Sequence, residues 1–281
     1  MTSYEAPAKL NLALTVYPPA ANGYHPLESL VQTIEWLDIL EVDESEEDDL
    51  TVDGAEIEPE ENFVNRALKA LREQWTVPPL AIRLAKRIPE EAGLGGGSSD
   101  AAATLIAASD VGRLPAGTPA TIAATIGADV PLFLTGGTVL ISGFGEVVDP
   151  EPTLDGFAVA VVVPEYRLRT ADVYRHWDEM EGPEGEPIAP GRLPPPLREG
   201  IPIRNDLVPA AIDLMPGLAD FMADLRASWG TAVAMTGSGS ACFGFFPDLG
   251  EARDAARSVS AMCRAAVGAE LRPRGVARAE E

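Results

Sequence analysis

The sequence predicts an α+β fold built in two lobes, and three observations lead there. Hairpin-like strand segments and helical segments are mixed along the whole chain. A stretch crowded with Pro, Asp and Gly at residues 150–156 separates two such mixtures, which sets the lobes at 1–152 and 153–281. The chain has 281 residues, enough for two domains with buried cores, and it shows no internal repeat.

The elements follow in order. Residues 8–16 alternate apolar side chains with Lys9, Asn11 and Thr15, as a strand does, and 18–23 form a loop. Residues 29–42 read as a second strand running into the acidic block 43–49, a solvated hairpin turn. Residues 62–74 read as a helix with Phe63, Ala67, Leu68 and Leu71 on one face, and 80–88 as a strand. Good helix formers fill 101–108, with Ser98 or Ser99 as the N-cap. A short helix over 118–126 ends at Gly127. Residues 130–134 and 138–141 are apolar and sheet-compatible, and 157–163 is a buried strand. Residues 181–202, crowded with Pro and Gly, form an irregular excursion. Asn205 caps a helix reaching about 225 with a break near Pro216. Residues 233–235 and 242–246 flank the glycine turn 237–240, and 251–267 form a terminal amphipathic helix.

Composition excludes several classes of function. The formal charge is −23, so nucleic acid is excluded as a partner, because phosphate backbones need a basic face. No apolar run approaches the roughly 18 to 20 residues of a membrane span, and the N-terminus carries no signal-like segment. A cytoplasmic protein is expected, a monomer or weak homodimer that leaves membranes alone. Cys242 and Cys263 lack metal or disulfide spacing and read as buried small apolar residues. Lysine occurs only at 9, 69 and 86, so each invites a question. The acidity fits either a salt-rich cytoplasm or a bias towards arginine over lysine.

Chemistry concentrates at Pro89-Glu90-Glu91-Ala92-Gly93-Leu94-Gly95-Gly96-Gly97-Ser98-Ser99-Asp100. Four glycines in five positions before a helix can wrap backbone N–H groups around an anion, and the helix N-terminus adds about half a positive charge. Side chains there would block the approach of phosphates. Ser98 and Ser99 can donate to phosphate oxygens or help hold Mg²⁺. The loop lacks the lysine of a Walker A motif and the spacing of a dinucleotide fingerprint.

Residues 89–102 resemble the phosphate-binding motif of the GHMP kinase superfamily. Ala6-Pro7-Ala8-Lys9-Leu10-Asn11-Leu12 resembles its N-terminal motif, and Thr236-Gly237-Ser238-Gly239-Ser240-Ala241-Cys242-Phe243-Gly244 its C-terminal glycine motif. With Asn22-Gly23-Tyr24-His25, Gly127-Ala128-Asp129-Val130-Pro131 and Asn205-Asp206-Leu207, the chain is similar to the branch acting on a diphosphocytidyl-methylerythritol. The resemblance implies a two-lobe fold with the active site in the cleft, and ATP with Mg²⁺. It also implies a small-molecule substrate carrying CDP, phosphorylated on its 2-hydroxyl in the non-mevalonate isoprenoid route. A homoserine or mevalonate type of kinase is the alternative.

By the same resemblance Asp129 is the base and Lys9 its neighbour. Pro89, Gly93, Leu94, Gly95, Gly96, Gly97, Ser98 and Ser99 bind ATP. Asn62 either lines the nucleotide pocket or caps a helix. Asn11, Tyr24, His25, Tyr174, Gly237 and Ser238 meet the acceptor, with Tyr174 stacking on cytosine and the ring or backbone of His25 reading its edge. No carboxylate stands out as a Mg²⁺ ligand; Ser99 and the ATP oxygens are the candidates. An alcohol is a poor nucleophile, so a group that accepts its proton is a chemical necessity.

Overall fold

Backbone pairing sorts the strands of the computed structural model into two sheets; residues 1–182, 185, 187–188 and 204–279 are described. Among them, the larger sheet has seven strands. At its centre β1 (Thr2–Val16) and β2 (Leu27–Glu44) run antiparallel. β4 (Leu80–Ala85) pairs with β2, β3 (Asp49–Asp53) with β4, and β5 (Thr138–Ser142) and β6 (Val147–Pro150) extend the other end of β2. The smaller sheet orders β10 (Ala265–Glu270), β7 (Ala158–Val163), β9 (Cys242–Phe246) and β8 (Ala234–Met235). The chain then returns to the first sheet, where β11 (Ala277–Arg278) pairs with β1.

Helices cover one face of the large sheet. α1 (Phe63–Arg72) buries Val64, Ala67, Leu68 and Leu71 against α2 (Gly96–Gly112), whose run of buried alanines permits close approach. α3 (Thr118–Ile126) and α4 (Val130–Thr135) complete that layer. On the small sheet, α5 (Thr170–Glu179), α6 (Val208–Leu214) and α7 (Gly217–Trp229) share one apolar cluster with Leu14, Val162 and Cys242, and α8 (Leu249–Ser258) packs on β7 and β10. Cys242 and Cys263 are free and buried, as expected.

Several local expectations need correction. The acidic block is no hairpin turn: β4 lies between β2 and β3, so β3 pairs parallel with β4. Residues 130–134 are helical, because Pro131 sits where a helix tolerates proline, and a short apolar run does not declare its period. The helix expected over 251–267 ends at Ser258, and the chain turns back as β10 beside β7. Asn205, three residues before α6, is not its cap; its side-chain oxygen accepts from Leu207 N, and the expected break falls at Pro216. Neither Ser98 nor Ser99 caps α2. The cap is Gly95 at φ +73°, where a Cβ would lie 2.7 Å from the Phe133 ring, so the helix starts at Gly96 and both serines lie in its first turn. Of the excursion expected at 181–202, residues 183, 184, 186 and 189–202 lie outside the described residues.

Candidate active site

The site is assembled where the glycine segments 93–97 and 237–239 meet β1. Two register shifts in the β1–β2 ladder, at Pro7/Ala8 and Asn11/Ala13, bracket Lys9 and Asn11. Such bulges re-aim side chains beside functional sites. The Lys9 ammonium lies 2.5 Å from Asn11 Oδ1 and 3.7 Å from Asp129 Oδ2. Lys9 is buried and Asp129 about a third exposed (34%), so the carboxylate faces open space while its cation is walled in. Burial pulls the Lys9 ammonium below the usual lysine range, and the charge of Asp129 opposes that. Asp129 precedes α4 but its side chain makes no capping bond, which leaves the carboxylate free for other work.

The glycine loop is stitched to the rest by main-chain bonds. Lys9 N donates to Leu94 O at 2.9 Å and Ala241 N to Ala92 O at 3.1 Å. Gly93 is at φ +75°, and a Cβ there would stand 2.3 Å from Thr236 O, so only glycine lets the two glycine motifs touch. The Thr236 hydroxyl accepts from Asn11 N, and Asn205 Nδ2 donates to Gly237 O at 2.8 Å. The Ser238 hydroxyl lies 2.9 Å from that of Thr170.

These walls enclose an open cleft of about 1400 Å³. Lys9, Asn11, Tyr24, His25, Asn62, Pro89, Gly93, Leu94, Gly95, Gly96, Gly97, Ser98, Asp129, Tyr174, Gly237 and Ser238 all line it. Ser99 does not. It is fully buried, its hydroxyl has no partner, and it sits beneath the loop rather than facing the cleft. Asn62 is a cap as well as a lining residue, its side-chain oxygen accepting from Val64 N at 2.9 Å.

At the other end of the cleft, Tyr174 and His25 pack with centroids 5.3 Å apart and their ring planes tilted by 41°, and Tyr24 is 70% exposed. Burial raises the Tyr174 phenol, with a smaller push from Asp129, so it stays neutral. Both ring nitrogens of His25 are engaged, Nδ1 donating to Tyr17 O at 2.9 Å and Nε2 lying 3.2 Å from Asp178 Oδ2. The ring is therefore spent on the protein. The backbone N–H and C=O of His25 have no partner among the described residues. His176 is bound to Glu179 and Asp213 on the surface, away from the cleft.

Beneath the loop is a cluster that motif reading missed. The Lys86 ammonium bonds Asp38 at 2.5 Å and Asp100 at 2.7 Å, all three side chains buried, and a Cβ on Gly96 would lie 3.2 Å from it. Asp38 also accepts from the backbone N–H groups of Arg87 and Ile88. Burial alone would lower the Lys86 ammonium, but the two carboxylates raise it, and burial raises Asp100. The rarity of lysine was the one available signal. The cluster ties β2, the residue following β4 and the N-terminal end of α2 together under the phosphate loop.

The fit to Mg²⁺ is poor on the protein side. Ser99 is turned away from the cleft, and no group of three His, Cys, Asp or Glu side chains is placed to hold an ion among the described residues. No step is assigned to the metal.

Comparison with known proteins agrees with this geometry. Residues 62–137 match the GHMP kinases N terminal domain and residues 194–265 the GHMP kinases C terminal domain. A 4-diphosphocytidyl-2-C-methyl-D-erythritol kinase of Paramagnetospirillum magneticum is 39% identical over 274 residues, 93% of this chain and 95% of the relative. One of Anaeromyxobacter dehalogenans is 39% identical over 90% of this chain and 83% of the relative. A crystal structure of a 4-(cytidine 5'-diphospho)-2C-methyl-D-erythritol kinase superposes with a TM-score of 0.78 at 35% identity, covering 96% of this chain and 98% of that one. A homoserine kinase from Cytophaga hutchinsonii, 15% identical with a TM-score of 0.69, shares the fold. Similarity of this extent, on a chain whose two glycine motifs meet Lys9 and Asp129 at one cleft, places it among the GHMP kinases, in the family of 4-diphosphocytidyl-2-C-methyl-D-erythritol kinases.

Proposed function

We propose that this chain transfers the terminal phosphate of ATP to the 2-hydroxyl of 4-diphosphocytidyl-2-C-methyl-D-erythritol, a step of the non-mevalonate isoprenoid route. The observation that carries it is the Lys9–Asp129 pair in a cleft with an anion-cradling loop on one side and an aromatic end on the other. The triphosphate lies along Gly93 to Ser98, held by backbone N–H groups and the positive end of α2. Asn62 and Pro89 border the nucleoside. The acceptor runs the other way, its hydroxyl at Asp129 and its cytidine at Tyr24, His25 and Tyr174, with Asn11, Gly237 and Ser238 between.

As the hydroxyl oxygen attacks the γ-phosphorus, Asp129 takes its proton and ADP leaves. Lys9 orients the carboxylate and offsets negative charge gathering between the two substrates. Cytosine presents a flat face and a mixed donor–acceptor edge. Tyr174 covers the face, and the unpaired N–H and C=O of His25 suit the edge better than its engaged ring. No residue of the chain is assigned to Mg²⁺; bound with ATP, the ion would supply neutralisation of phosphate charge.

The 1–152 and 153–281 division assigns one sheet to each lobe, except that β11 crosses back. We take the enzyme to act in the cytoplasm as a monomer or weak homodimer. No helix among the described residues is long and apolar enough to cross a membrane. A coupled ADP-release assay with the diphosphocytidyl substrate, homoserine and mevalonate tests the proposal. Turnover confined to the first supports it, and turnover of either other acceptor alone refutes it.

A further inference from the structure

We propose that Asp178 is a positioning residue for recognition of the base, a latch on α5 that fixes the loop carrying His25. This rests on the reading that His25 and Tyr174 take the cytidine end. Residues 17–26 form an irregular connection between β1 and β2, closed at its base by Tyr17 N donating to Pro26 O. Its tip, Tyr24, is exposed, and the loop's internal bonds (Ala20 N to Tyr24 O, Gly23 N to Ala20 O, Tyr24 N to Asn22 Oδ1) close the turn without holding the His25 ring. The His25 side chain is nevertheless only 8% exposed.

Four groups account for that. Tyr17 O accepts from Nδ1 on the loop's own side. The other three come from one face of α5: Tyr174 at 5.3 Å, Trp177 edge-on at 5.5 Å, and the Asp178 carboxylate at 3.2 Å from Nε2. Positions 174, 177 and 178 are i, i+3 and i+4, so they share one helix face. Of these contacts only the carboxylate is directional and draws the imidazole across the gap. With both nitrogens engaged, the ring is kept from swinging, and His25 is held on the cleft wall with its backbone N–H and C=O unpaired among the described residues. Asp178 lines the same cleft, and its side chain is 41% exposed, so replacing it costs the core nothing.

The test uses the full-length protein and two probes. CDP is titrated calorimetrically into wild type, Asp178→Ala and Asp178→Glu, with ADP as control, and kinetic constants are measured for the diphosphocytidyl substrate and ATP. Asp178→Ala should weaken CDP binding and raise KM for the CDP-bearing substrate about 10- to 150-fold, the loss of one hydrogen bond to a charged group. ADP affinity, KM for ATP and kcat should stay within about twofold, and Asp178→Glu should recover most of the loss. A destabilised fold alone would not split the two substrates in this way. Unchanged CDP affinity in Asp178→Ala, or equal weakening of CDP and ADP, overturns the latch. A wild type that binds ADP but not CDP overturns the cytidine reading beneath it, and the latch with it.

Discussion

Asp129→Asn is the most informative single substitution, because it keeps the shape of the side chain and removes its basicity. A positioned general base contributes about 10²- to 10⁴-fold, or roughly 2.7 to 5.5 kcal/mol of barrier. The structure argues that little else changes. Asp129 makes no capping bond to α4, and Lys9 keeps Asn11 Oδ1 at 2.5 Å and gains the amide oxygen in place of the carboxylate. With Asp129 a third exposed, its pairing with Lys9 contributes on the order of 1 kcal/mol to stability after screening. The melting temperature should therefore fall by about 2 to 4 °C. In an ADP-release assay kcat should drop by about 10²- to 10⁴-fold while both KM values stay within about threefold, since ground-state contacts survive. Near-normal turnover by Asp129→Asn would refute the base assignment. A large rise in either KM would make Asp129 a binding residue instead.

Further outcomes follow from the same geometry. Lys86→Met leaves Asp38 and Asp100 buried without a cation, so stability should fall by about 3 to 5 kcal/mol and the midpoint by on the order of 10 °C, seen in thermal melts; a midpoint within 2 °C or so would show the cluster to be dispensable. Gly93→Ala forces a Cβ into Thr236 O, separating the two glycine motifs, and should abolish measurable ATP binding by calorimetry. Tyr174→Ala should raise KM for the CDP-bearing substrate about 5- to 150-fold, the value of one stacked base, with KM for ATP unchanged; weakened ATP instead would reverse the placement of the two substrates. The charge of −23 repels itself least at molar salt, where the Debye length is about 3 Å, so melting midpoints should rise from low salt to molar KCl. A flat series would leave the arginine bias as the explanation of the composition.

The site was far more legible in the sequence than the path of the chain around it. Glycines at 93–97 and 237–239 advertise backbone that must approach something closely, and Lys9 and Asp129 sit in motifs, so local residue order was enough to name them. The register of the sheet was not local. Whether β3 pairs with β2 or β4 depends on a strand 27 to 36 residues further along, and nothing in the acidic block reports it. The segments 130–135 and 265–270 are short, with apolar runs and small residues compatible with either period, so their neighbours decided them. Ser99 was misread for a similar reason: a serine beside a phosphate loop is a donor or a buried filler according to the rotation of the helix, which starts three residues earlier than expected. Lys86, Asp38 and Asp100 lie 14 to 62 residues apart and meet only through packing, so the rarity of lysine could raise the question but not answer it.

The claim underlying all of this is the destination of the phosphate. ATP labelled with ³²P at the γ position, incubated with the protein, Mg²⁺ and 4-diphosphocytidyl-2-C-methyl-D-erythritol, tests it most directly. The label should appear as a phosphomonoester on the 2-hydroxyl of the methylerythritol unit, in step with ADP, and should vanish from that product in Asp129→Asn. Label released only as inorganic phosphate, or carried onto homoserine or mevalonate in preference to the diphosphocytidyl substrate, would contradict the account.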